Sequence, residues 1–121
     1  MNDFFYKKLD AYQIAKELTM YVYSLLRKYP PFEQHALCDQ LRRAVVSVPS
    51  NIAEGMSRIS DKEKVHFLEI SYGSLMETLC QLVLANDLGY ISKEELIEQR
   101  QHISDTAKIL SGLRASIMNK L

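Results

Sequence analysis

Apolar residues recur at a helical period along almost the whole chain. Ile14, Leu18, Val22 and Leu25 form one series, and Leu37, Leu41, Ala44, Val48 and Ile52 a second. Phe67, Ser71, Leu75, Leu79 and Leu82 form a third, and Leu96, Ile103, Ala107, Leu110, Leu113 and Ile117 a fourth. Steps of three and four residues keep side chains on one side of a helix, so each series predicts the buried stripe of an amphipathic helix. No alternating strand pattern, repeat or low-complexity linker competes with them.

Punctuation between the stripes sets the boundaries. Asp10 with Gln13, Ser60 with Glu63, and Ser92 with Glu95 all have the spacing of a capping box. Pro30-Pro31 stops the first helix, because the residue before a proline is pushed out of helical geometry. Gly89 ends the third, since glycine adopts positive φ without penalty. The expected helices span about 10–29, 32–56, 61–87 and 93–119 within one domain of residues 1–121. Connections of two to five residues favour antiparallel neighbours, which makes the expected fold all-α, an up-and-down antiparallel four-helix bundle. Pro49 predicts a kink in the second helix, because it removes the bond to Val45, and Ser47 is placed to satisfy the freed backbone. Gly73 in mid-helix costs about 1 kcal/mol relative to alanine, which predicts a close backbone contact there.

The second helix has an unusual polar side. At about 100° per residue, Arg43, Ser47, Ser50, Asn51, Glu54 and Arg58 lie opposite its apolar arc. Small polar residues take the place of the usual lysines and glutamates, which suits close helix approach or buried hydrogen bonds. Two readings stand at this point: a solvated face with structural hydrogen bonds, or a face contacted by a subunit or ligand. In either, Arg43, Ser47, Asn51, Glu54 and Arg58 are expected to form a polar network, with Glu77 of the third helix as partner. Glu54 to Arg58 is the favoured i, i+4 order for an ion pair.

The run Gln40-Leu41-Arg42-Arg43-Ala44, then Ser47-Val48-Pro49-Ser50-Asn51-Ile52-Ala53-Glu54-Gly55 and Arg58, with Gly73-Ser74-Leu75 and Leu88-Gly89-Tyr90 further on, resembles a known family. It is the small four-helix-bundle proteins encoded in intervening sequences of bacterial 23S ribosomal RNA genes. The resemblance covers roughly residues 4–118, with one departure: the family often has an aromatic-Pro pair before the second helix, and this chain has Pro30-Pro31-Phe32-Glu33. It implies a bundle that assembles into a homopentamer, associates with nucleic acid and has no enzymatic activity. A related branch, the accessory variability proteins of diversity-generating retroelements, is similar in fold and binds nucleic acid and a reverse transcriptase.

Composition constrains this picture. The 121 residues, 47% of them apolar, suffice for one core. Fifteen basic and fifteen acidic side chains cancel, so the global charge of a dedicated nucleic-acid binder is absent and any such binding has to be local and weak. Candidate phosphate contacts are Lys7, Lys8, Arg42, Arg43, Arg58, Lys62 and Lys64, interrupted by Glu54, Asp61 and Glu63. The expected function is therefore a homo-oligomeric assembly module, with RNA or DNA binding by the assembled ring as the alternative.

Catalysis finds little support. His35, His66 and His102 lie one per helix without a second ligand at helical spacing, and neither a glycine-rich phosphate loop nor a nucleophile beside a base is present. No metal and no cofactor are expected. Cys38 and Cys80 read as reduced residues of the core or its edge. Without a leader-like or membrane-length apolar run, the protein is expected in the cytoplasm. Phe4, Phe5 and Tyr6 are too apolar for a free tail and are expected to pack on the bundle or on a neighbouring subunit.

Overall fold

A computed structural model describes residues 9–121; the aromatic lead-in and Lys7 and Lys8 lie outside the described residues. Four α-helices follow one another: α1 (Asp10–Leu26), α2 (Leu37–Met56), α3 (Asp61–Asp87) and α4 (Lys93–Met118). They pack in a closed ring of neighbours, α1 on α2, α2 on α3, α3 on α4 and α4 on α1, with the α2–α3 contact the most extensive. The bundle is up-and-down and all-α.

Its core is made of Leu18, Val22, Leu41, Val45, Val48, Ile52, Leu68, Leu75, Leu82 and Leu110, all essentially inaccessible to water. Burying each such side chain contributes about 1.5–3 kcal/mol. The α3 stripe differs from the expected one at both ends: Leu68 and Thr78 are buried, whereas Phe67 and Leu79 sit at the edge. Steps of four residues from 67 to 79 drift about 120° around the helix, while the alternating steps 68, 71, 75, 78, 82, 85 hold one face. In α1 the same effect puts Ala15 in the core and leaves Ile14 half-buried.

Helix ends account for the remaining differences. Asp10 is the first residue of α1 and does not cap it; Leu9 occupies the cap position with an extended backbone and no side-chain acceptor. Asp10 instead places a carboxylate in the first turn, where the helix dipole favours it. α1 ends at Leu26, short of Tyr29, and tightens into i→i+3 bonds from Lys28 N–H to Leu25 O (3.0 Å) and Tyr29 N–H to Leu26 O (3.2 Å). α2 starts at Leu37 and not at Phe32. Pro31–Glu33 forms a separate 3-10 turn, and Ala36 at φ −121°, ψ −101° breaks the path to the next helix. His35 lies in that connection. Arg42 closes it by donating to Gln34 O at 2.7 Å, while Gln34 Nε2 donates to Leu26 O at 3.3 Å.

α2 runs unbroken through Pro49. The carbonyl that Pro49 leaves free, Val45 O, faces the Thr19 hydroxyl of α1 at 3.4 Å; Ser47 takes no part in this. Ser60 caps α3 by accepting from Glu63 N–H at 3.3 Å, and Ser92 and Glu95 complete a full capping box on α4. Gly89, at φ +83°, ends α3 with Tyr90 N–H donating back to Ala85 O at 2.9 Å, the bond such a left-handed residue permits.

Candidate functional site

The polar side of α2 meets α3 along a seam of small residues. Gly55 makes the closest approach: a Cβ there would lie 2.9 Å from Phe67 Cβ and 3.3 Å from Lys64 O, so only glycine fits without displacement. Two turns earlier, Ser47 Oγ is 2.8 Å from Ser74 Oγ, and Asn51 Nδ2 donates to both Ser47 O and Ser47 Oγ at 2.8 Å. Between them the buried Ser71 hydroxyl donates to Val48 O at 2.8 Å. Hydroxyls and one amide thus stitch the two backbones together where larger side chains would hold them apart.

The charged residues do not form one network. Arg58 pairs with Glu54 at 3.0 Å and lies over the Phe67 ring, 4.7 Å from its centroid. Arg43 turns to Asp39 at 3.3 Å and its side chain is 81% exposed, so it does not reach Glu54. Glu77 is exposed and makes no ion pair among the described residues. The single expected network is therefore two separate features, a surface ion pair and a half-buried Ser47-Ser74-Asn51 cluster. The physical reason is that Asp39, four residues before Arg43, competes for it within the same helix.

Most candidate phosphate contacts are already engaged. Arg42 is held by Gln34 O and stands 3.6 Å from Asp39; Lys64 stands 3.6 Å from Asp61. Lys62 is exposed and makes no ion pair among the described residues, and Lys7 and Lys8 lie outside them.

Elsewhere the chemistry is structural. Among the described residues no three His, Cys, Asp or Glu side chains converge as metal ligands, and no helix is long and apolar enough to cross a membrane. Cys38 is buried, and burial raises its thiol pKa, which keeps it protonated and unreactive. Cys80 is exposed on α3, contrary to its expected place at the core edge: its position three residues beyond Glu77 puts it on the outward side. At the α1–α4 seam, Lys28 pairs with Glu95 and Tyr21 stacks on His102 at 4.1 Å.

One feature that the sequence pattern concealed is the outward side of α3. Ile70 is 39% exposed and Leu84 43%, and Gly73 lies between them with no atom of the described residues within 4 Å of where its Cβ would be. Among the described residues, the close contact expected at Gly73 is not made. Ser74, its neighbour, is the residue bonded to Ser47, so this open stripe borders the small-residue seam directly. Val46 of α2, 38% exposed, adds a further outward apolar side chain. Glu77 breaks the apolar run on α3, which is why periodicity alone does not reveal it.

The family described as 23S rRNA-intervening sequence protein matches residues 7–112 of the chain. No curated protein matches it. A crystal structure at 1.70 Å of a protein of unknown function from the S23 ribosomal protein family of Bacteroides thetaiotaomicron is similar, with a TM-score of 0.78 and 21% identity. The likeness covers 86% of this chain and 97% of that one, and it shows a common fold.

Proposed function

The chain belongs to the 23S rRNA-intervening sequence protein family, and from that premise we propose that it acts as a non-enzymatic homo-oligomeric module, a pentamer as its resemblance to that family implies. The outward side of α3 and the adjoining polar side of α2 form the subunit interface. The observation that carries this reading is Gly73. An exposed glycine in the middle of a 27-residue helix costs about 1 kcal/mol without a close contact to any described residue, whereas against a neighbouring helix it permits close backbone approach. Ile70 one turn before it, Leu84 three turns after it and Val46 on α2 supply the apolar area, and Ser47, Ser50 and Asn51 the hydrogen-bonding groups, of an interface core with a polar rim.

Nucleic acid is the weaker reading for this face. Arg42, Arg43, Arg58 and Lys64 each stand beside an acidic partner three or four residues before them, so a phosphate would have to displace a carboxylate at each contact. Light scattering coupled to size exclusion tests the assembly: the expected particle is five copies of the 14.0 kDa chain. A monomer persisting at tens of micromolar would remove the interface.

A further inference from the structure

We propose that the outward face of α3 in one copy of the chain packs against the outward face of α4 in the next. The inference rests on the assembly proposed above and supplies its second half. One self-complementary patch joins copies only in pairs, whereas a ring with an odd number of members joins two different faces of every copy. The α3 face therefore needs a different face of the same chain as its partner, and the two have to complement each other. α4 adjoins α3 in the bundle, so their outward faces diverge and repeated contact bends into a closed ring. α1 lies across the core from α3, and contact through its outward face would extend as a filament.

Spacing, charge and level all match. On α3 the exposed Ile70, Gly73, Glu77, Cys80 and Leu84 recur in steps of three and four, the seam that one helix offers to another. On α4 the exposed Ile97, Gln101, Ser104, Lys108, Gly112 and Ala115 do the same. Within one chain Arg114 Nε donates to Glu69 at 3.1 Å, and Tyr72 shares a hollow with Ser111, which fixes the relative heights of the two helices. By that register Gly73 stands within a turn of Gly112, Glu77 of Lys108, and Leu88 of Ile97. A ring whose axis runs along the bundle keeps each copy at its neighbour's level, so the same pairs meet across the contact. Glu77 and Lys108 make no ion pair among the described residues of their own chain, and across the contact they pair with each other. The two glycines present only backbone, which lets the helices approach closely. Leu88, 54% exposed just after α3, and Ile97, 56% exposed, cover each other at the end of the bundle where α3 turns into α4. Charge also disfavours α3 against itself: residues 60–90 hold five acidic and two basic side chains, whereas residues 91–121 hold four acidic and five basic ones.

Charge reversal, read by light scattering on dilution, tests the pairing. Glu77→Lys and Lys108→Glu should each raise the concentration at which the particle dissociates, on the order of tenfold or more, because like charges then face each other across the contact. Combining the two in one chain should return that concentration towards the unmodified value, with helical circular dichroism unchanged throughout. Lys16→Glu, the same charge change on α1, should leave it where it is. Lys108→Glu that assembles as the unmodified protein does would overturn the proposal; if Gly73→Arg still yields folded monomers, α3 remains an interface and its partner lies elsewhere on the chain. A double reversal no better than either single one, or an equal loss from Lys16→Glu, would overturn it too. An unmodified chain that is already monomeric removes the assembly and this contact together.

Discussion

At the scale of single residues, the seam between α2 and α3 depends more on what is missing than on charge. Gly55→Ala puts a methyl group 2.9 Å from Phe67 Cβ and near the Lys64 carbonyl, and neither backbone nor a Cβ can move aside as a flexible chain end would. It should cost about 1–3 kcal/mol, the usual range for overpacking, read as a lower urea midpoint. Glu54→Ala at the adjacent position should cost less than about 1 kcal/mol, because Glu54 and Arg58 are a partly exposed pair screened by water. A larger loss from Glu54 than from Gly55 would reverse this account. The sequence pointed to the pair correctly, through its i, i+4 order, and to the small residues as a group. It could not rank them, since burial decides whether an ion pair is worth tenths of a kcal/mol or several, and burial depends on which neighbour covers the helix.

At the scale of helices, four elements were legible because each carries a long apolar stripe, and α3 and α4 were legible to the residue at their starts because Ser60 and Ser92 cap them. The connection between α1 and α2 was not. Pro30-Pro31 announces a break but does not say how far it extends, and the 3-10 turn at Pro31–Glu33 is held by Gln34 and Arg42 reaching across to carbonyls that no local pattern identifies. At the start of α4, Glu95 closes the capping box with Ser92 N–H at 2.8 Å and also pairs with Lys28, in the turn after α1. Its carboxyl is held below the ordinary carboxylate range, first by the Lys28 hydrogen bond and then by the Ser92 backbone. The folded protein therefore resists protonating it more than the unfolded chain does. Its stabilising contribution is complete above the unfolded carboxylate pKa and is lost as pH falls through the folded one. Glu95→Gln keeps a capping acceptor and should flatten the acid side of stability against pH, as measured by urea midpoints from about pH 7 to 3. Ser92→Ala should cost about 1 kcal/mol at neutral pH. An acid limb unchanged by Glu95→Gln would show that this carboxylate is not shifted by the fold.

At the scale of the whole molecule, the chain has no net charge, and the cationic side chains on and just after α2 are committed to acids of that helix. Binding to generic duplex RNA or DNA at physiological salt should accordingly be weak, and a plot of log affinity against log salt should have a shallow slope, each phosphate contact adding about 0.9 to its magnitude. A steep slope, equivalent to six or more phosphate contacts, would move the nucleic-acid reading ahead. What the molecule does present is a helix face with exposed isoleucine and leucine on either side of an open glycine. The most direct test is therefore a comparison of Gly73→Ala and Gly73→Arg by light scattering and thermal melting. Either residue forms helix better than glycine, so neither disturbs the fold of the single chain at a position with open space around it. The account predicts that Gly73→Arg scatters as a monomer that remains folded, with Gly73→Ala intermediate. Gly73→Arg assembling to the same mass as the unmodified protein would contradict it.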